Sequence, residues 1–188
     1  MSRIRTFIAV DLDQAVRHRT VALQEVLKKA GTEVKWVEPE NLHVSLLFLG
    51  EAEDREVVEV CRVVEEVARK HASFVMSVET VGCFPHPRRP RVLWVGVGEG
   101  TQPLCAIHDA LETPLLDLGY RREERKYSPH VTLGRVKSDR PTEKLASALV
   151  QQAGWKGGEI QVGEILVMGS KLTPTGPEYT VLSRAKLG

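Results

Sequence analysis

"NLHVSLLFLG" (residues 41–50) sets His43 and Ser45 two positions apart inside an otherwise apolar run. In an extended strand, residues i and i+2 share a face, so imidazole and hydroxyl project together while Val44 and Leu46 turn into a core. "YSPHVTLGRV" (127–136) repeats the arrangement: His130 and Thr132 on one face, Val131 and Leu133 on the other. Nearly half the chain separates the two stretches. That spacing fits a duplication, with two lobes that each present one such strand to a shared cleft.

The segments around these strands set the fold class. "RTFIAVDLD" (5–13) is rich in β-formers and ends in a polar turn, which predicts a first strand. "QAVRHRTVALQEVLKKAG" (14–31) spaces Val16, Val21, Leu23, Val26 and Leu27 at helical intervals. "EVKWV" (33–37) is a short strand. "EDREVVEVCRVVEEVARKH" (53–71) is an amphipathic helix with an acidic start and a basic end, matching the helix dipole. "SFVMSVETVGCF" (73–84) and "RVLWVGVG" (91–98) are strands around the loop "PHPRRP". A helix over 102–119 is expected to break or kink near Pro114, and another covers 142–154. "GEIQVGEILVMGS" (158–170) and "PEYTVLSRAKL" (177–187) read as a closing hairpin. Strands arrive in pairs between helices. This predicts an α+β fold, bilobal, with two pseudo-symmetric lobes of mainly antiparallel sheet and outer helices around a central cleft. All 188 residues belong to one domain of two interleaved lobes.

Composition narrows the function. Lys and Arg number 26 against 25 Asp and Glu, a net charge of +1, so no global basic field draws in nucleic acid and an anionic ligand must be held locally. No apolar run reaches the roughly 20 residues that span a bilayer, and the N-terminal stretch reads as a strand, not a signal peptide. Cys61, Cys83 and Cys105 form no C-x-x-C pair and read as free thiols of a reducing cytoplasm.

Two imidazoles and two hydroxyls around one small volume suit phosphodiester chemistry. An imidazole titrates near pH 6.5, so one can accept a proton from a nucleophile while the other donates to the leaving oxygen. The hydroxyls can donate to the non-bridging oxygens as charge builds there. No metal or other cofactor is required. Either histidine alone reads as a hydrogen-bonded strand residue of the core; the pair carries the chemistry. "KHASF" also matches, through His71 and Ser73, but it lies where a helix gives way to a strand and reads as a cap.

With these residues in hand, the chain resembles the 2H phosphoesterase superfamily, whose paired H-x-[ST] motifs are similar to "LHVSLLFLG" and "PHVTLGRV". The stretches "RTFIAVDLD", "PRRPRVLWVGV" and "YSPHVTLGRV" resemble its RNA 2′,3′-cyclic phosphodiesterase branch, also called 2′-5′ RNA ligase-like. The resemblance spans essentially the whole chain. It implies metal-independent hydrolysis of an RNA 2′,3′-cyclic phosphate end to a 2′-phosphomonoester, with His43 as proton donor and His130 as acceptor. Ser45 stands where Thr is commoner, which keeps the hydroxyl. Ligation of 2′-5′ RNA ends, hydrolysis of a small cyclic nucleotide, and non-catalytic nucleotide binding are the alternatives at the same site. The partner implied is RNA with a cyclic phosphate terminus, or a nucleotide; the chain is expected to act as a monomer, away from membranes.

Further residues are candidates for holding substrate. Arg135 matches a phosphate-holding arginine of the family, yet strict alternation puts it opposite His130 unless Gly134 marks a bulge. Arg88 and Arg89 in "HPRRPR" (86–91) either grip an RNA backbone or form a solvated loop. Phe48, Trp36 and Tyr127 flank the motifs, where each either stacks on a base or belongs to the core. His18 and His108 fall within helices and read as surface or satisfied residues.

Overall fold

Among the described residues, alternation of apolar and polar residues writes nine strands, and 3.6-residue spacing writes four α-helices. In chain order these are β1 (Arg3–Asp11), α1 (Gln14–Lys28), β2 (Val34–Trp36), β3 (His43–Glu53), α2 (Asp54–Arg69), β4 (Phe74–Phe84), β5 (Val92–Val97), α3 (Thr101–Asp117), β6 (His130–Val136), α4 (Glu143–Gln151), β7 (Lys156–Val162), β8 (Glu164–Thr173) and β9 (Gly176–Lys186). The computed structural model describes residues 2–140 and 143–188, so Thr142, the expected start of the fourth helix, lies outside the described residues.

Among the described residues every strand pairing is antiparallel, in one sheet ordered β7-β4-β5-β6-β3-β1-β8-β9, with β2 paired to β6. The two motif strands, β3 and β6, are central neighbours. They meet through a single pair, Val44 with Val131. The expected lobes are therefore two wings of one sheet, hinged at its middle. One wing, β3-β1-β8-β9, carries α2 and α3; the other, β6-β5-β4-β7, carries α4 and α1.

The motif strands gain rigidity from their backs. Val44, Leu46, Val131 and Leu133 are buried, together with Ile8, Val10, Leu93, Val95, Ile165 and Val167 from the neighbouring strands. Each such side chain contributes roughly 1.5–3 kcal/mol on burial. The helices start where their caps dictate: Asp13 accepts from the Val16 N–H at 2.8 Å, and Glu53 and Glu56 form a capping box at α2.

Two local expectations change. The third helix runs on through Pro114 to Asp117, because Leu104, Ile107, Leu111 and Leu115 are buried on both sides of the proline and Leu118 N–H still reaches the Pro114 carbonyl. The stretch 158–170 is not one arm of a hairpin. Gly163 divides it into β7, which pairs with β4 at one edge of the sheet, and β8, which pairs with β1 in the other wing. Only β8 and β9 form the closing hairpin.

Candidate active site

Strand register decides which side chains share the cleft. Along β3, β1 pairs Ala9 with Ser45 and Ile8 with Leu47, so Leu46 is an extra residue and the pleat slips by one. Leu46 and Leu47 are both buried, and Phe48 returns to the face of His43 and Ser45. The second motif repeats this. β5 pairs Trp94 with Thr132 and Leu93 with Gly134, leaving Leu133 extra, and Arg135 returns to the face of His130 and Thr132. The question left by strict alternation is thus settled by a bulge at the equivalent position in both motifs, making Phe48 and Arg135 counterparts. Burial raises the pKa of Tyr179 on β9, opposed by the charges of Arg135 and Arg5. Gly134 permits this geometry: a Cβ there would stand 2.7 Å from Val34 Cγ1 and 3.1 Å from the Lys35 carbonyl, where β2 crosses.

Both imidazoles are held in the same way. His43 Nδ1 lies 2.6 Å from the Asn41 carbonyl and His130 Nδ1 lies 2.8 Å from the Ser128 carbonyl. A carbonyl only accepts, so each Nδ1 carries the hydrogen and each Nε2 is left for chemistry. In the first motif Nε2 already meets Ser45 Oγ at 2.8 Å. Each ring also rests on aromatics: His43 on Phe7 and Tyr179, with centroids 5.0 and 5.6 Å away, and His130 on Phe84 at 5.4 Å, itself 5.2 Å from Trp94. Burial pushes the His43 pKa below its ordinary 6.5, aided by the charges of Arg17 and His130 and opposed by the Asn41 hydrogen bond and Asp11.

Arg17, which the sequence reading passed over, fixes the approach to His43. Its guanidinium donates to the carbonyls of Pro39 (2.6 Å), Leu42 (3.1 Å) and Leu12 (3.0 Å) and to Asp11 (2.6 Å). It thereby clamps the Pro39–Asn41 turn whose last carbonyl orients His43. Arg17 lies in a helix otherwise read for its apolar stripe, which is why spacing gave no signal.

The remaining candidates separate. Tyr127 donates from its hydroxyl to the Ser45 carbonyl at 2.8 Å and stacks on His108 at 4.3 Å. With one ring face and the hydroxyl engaged, it ties the lead-in of the second motif to the strand of the first. Burial raises its pKa. His108 is buried rather than on the surface; Nδ1 meets Asp109 while Nε2 has no hydrogen-bond partner among the described residues. Phe48 is exposed, with the Arg5 guanidinium 5.4 Å from its ring centroid. Trp36 lies on β2, over Gly134 and away from the first motif. Arg88 and Arg89 are exposed on a loop rooted at Phe84, beside His130. His71 bonds the Val67 carbonyl at the end of α2, as a cap. His18 is exposed, and the three cysteines are free. Among the described residues no His, Cys, Asp and Glu side chains gather as a group of three or more metal ligands, and no helix is long and apolar enough to cross a membrane.

Fold and site together define a paired-histidine cleft on an antiparallel sheet. Solved structures share the fold: a Thermus thermophilus protein superposes with a TM-score of 0.82 at 28% identity, covering 97% of each chain, and E. coli LigT with 0.80 at 22%, covering 100% and 99%. The sequence model of the 2′-5′ RNA ligase superfamily matches residues 14–171. Relatives named RNA 2′,3′-cyclic phosphodiesterase include one from Methanothermobacter thermautotrophicus, 38% identical over 95% of this chain and 96% of its own, and one from Thermotoga maritima, 36% identical over 95% and 93%. The chain belongs to the 2′-5′ RNA ligase superfamily.

Proposed function

We propose that the cleft hydrolyses RNA 2′,3′-cyclic phosphate ends to 2′-phosphomonoesters. The observation that carries this reading is the matched pair of imidazoles, each with Nδ1–H held by the carbonyl two residues earlier, which leaves Nε2 as the nitrogen that moves a proton. Hydrolysis needs one such group to take a proton from water and one to give a proton to the departing 3′ oxygen, as the P–O bond to water forms and the P–O3′ bond breaks. A positioned acid or base contributes about 10²–10⁴-fold each. His43 serves as donor and His130 as acceptor, the roles that the family resemblance implies. Ser45 and Thr132 donate to the non-bridging oxygens, and Arg135 supplies a positive charge to the same phosphate. No step requires a metal.

The lowered pKa of His43 bears on the donor role. In the free protein the imidazole is mostly neutral at pH 7; the bound phosphodiester anion favours its protonated form and loads the proton as substrate arrives. Phe48, the counterpart of Arg135, offers a ring to the penultimate base, while Arg88 and Arg89 at the rim meet the upstream backbone. One chain supplies every one of these groups, so a monomer suffices. Free thiols fit action in the cytoplasm.

The test is incubation with a 2′,3′-cyclic-phosphate-ended oligoribonucleotide, with and without chelator. A 2′-phosphate product in both is expected; a 3′-phosphate product, or activity lost to chelator and restored by a divalent ion, contradicts the reading.

A further inference from the structure

The two wings meet through one ladder pair, Val44 with Val131, and each motif imidazole stands beside it, His43 on β3 and His130 on β6. A single pair joins two strands but leaves the angle between them to whatever braces them on either side. On one side Gln24, reaching from α1, donates to the Val37 and Leu133 carbonyls at 3.0 and 2.9 Å. On the other side stands Tyr127. It belongs to the lead-in of β6, where the next residue, Ser128, holds His130 through its carbonyl at 2.8 Å. Its side chain crosses into the opposite wing. The hydroxyl meets the Ser45 carbonyl of β3, and the ring lies flat against His108 of α3, 4.3 Å away at 2°. α3 itself packs on that wing, against α2 and β3.

The buried face of α3 is otherwise aliphatic: Leu104, Ile107, Leu111 and Leu115. His108 is the polar exception, 4% exposed, with Nδ1 donating to Asp109 at 3.0 Å and Nε2 unpartnered among the described residues. A buried nitrogen without a partner is a cost that a leucine at the same place would not carry. What the imidazole supplies, and a leucine does not, is a rigid flat face for the tyrosine ring. We propose that His108 is a positioning residue: it seats Tyr127, which fixes the angle between the wings and thereby the placement of the His43 and His130 Nε2 atoms on one phosphate. The kinetic consequence rests on the cyclic-phosphate reading; the geometry stands apart from turnover. A proton taken on one side of phosphorus and given on the other needs both nitrogens within hydrogen-bond reach at once. A displacement of about 1 Å is enough to slow such a step about 10²-fold.

The experiment compares wild type with His108→Leu and His108→Phe, by steady-state hydrolysis of a cyclic-phosphate-ended oligoribonucleotide and by thermal melting. His108→Leu should melt within about 3 °C of wild type, because the lost stack is offset by removal of the orphan nitrogen. Its kcat should nevertheless fall about tenfold or more, with KM little changed. His108→Phe, which keeps a flat ring and discards both nitrogens, should return most of kcat. Adding His108→Leu to Tyr127→Leu should slow the reaction little further, since both act through one contact. Residual dipolar couplings of backbone amides give a readout without turnover. Couplings from β1 and β8 and those from β4 and β5 should fit one alignment in wild type and His108→Phe, and should need two in His108→Leu. If the leucine variant does not fold, His108→Gln carries the same expectations for kcat and alignment. A leucine variant with wild-type kcat, a phenylalanine variant as slow as the leucine one, or one unchanged alignment in every variant overturns the positioning role. A wild-type protein that hydrolyses no cyclic phosphate, with a wing alignment that His108→Leu alters, overturns the hydrolase reading and leaves the seating role of His108 standing.

Discussion

Arg17→Ala removes the clamp behind His43 without touching a group that meets substrate. The Arg17 side chain is only 16% exposed, and its bonds to the Leu12 and Leu42 carbonyls are part-buried. Those two bonds are worth roughly 1–1.5 kcal/mol each, and the more exposed contacts to Asp11 and Pro39 together up to about 1. The loss is about 3 kcal/mol, or about 6–12 °C in Tm for a chain of this size. Freed from the guanidinium, the Pro39–Asn41 turn no longer holds the carbonyl that orients His43, so kcat should fall about 10–100-fold with KM little changed. The substitution also removes a charge that lowers the His43 pKa, so the acid-side limb of kcat/KM should move to higher pH. Arg17→Lys should return much of the pH limb, because it restores the charge, but little of kcat, because one ammonium cannot reach three carbonyls. The assay is a full pH profile of steady-state hydrolysis on variants that remain folded at the assay temperature. A Tm loss with wild-type kcat and an unmoved limb would refute the positioning role.

The remaining predictions concern pH and the two motif strands. The acid-side limb of kcat/KM should lie below pH 6.5, and the corresponding limb of kcat at higher pH, since bound phosphate favours imidazolium; a kcat limb at or below that of kcat/KM would show that substrate does not load His43. Because the folded pKa of His43 is depressed, the unfolded chain binds more protons below pH 6.5, so stability should fall as pH drops through that window; urea midpoints of wild type and His43→Gln at pH 7 and pH 5 isolate this contribution, which is lost in the variant. Tyr127→Phe should cost about 1 kcal/mol and lower kcat severalfold, through the lost bond to Ser45; unchanged kcat in steady-state assays would leave the tie merely structural. Gly134→Ala should cost about 1–3 kcal/mol by thermal melting and raise KM, as β2 and the bulge that aims Arg135 are forced apart.

The sequence made the motif strands legible because period-2 alternation is local: His43, Ser45, His130 and Thr132 declare their shared face within three residues. The bulges were not legible. An extra Leu46 or Leu133 changes which face Phe48 and Arg135 occupy, and it is fixed by pairing with β1 and β5, far away in sequence. The same holds for Gly163, where an apolar run continuous in the sequence divides between the two wings of the sheet. Asp11 meets His43 through the β1–β3 register and Tyr179 comes to it from β9, so neither had a local signature. His108 shows the converse: its helical position suggested a surface or satisfied residue, while it is buried and stacked on Tyr127, which arrives from a separate loop.

The central claim, that His43 and His130 act as one acid–base pair, is tested most directly by single-turnover cleavage of a 2′,3′-cyclic-phosphate-ended oligoribonucleotide. Wild type is compared with His43→Ala, His130→Ala, the double variant and His71→Ala. Each single replacement in the motifs should slow cleavage about 10²–10⁴-fold with oligonucleotide binding largely kept. The double variant should be little slower than the worse single one, because both groups serve a single step, and His71→Ala should cleave like wild type. Losses that multiply in the double variant, a His130→Ala protein that cleaves normally, or a His71→Ala protein as impaired as His43→Ala would contradict the account.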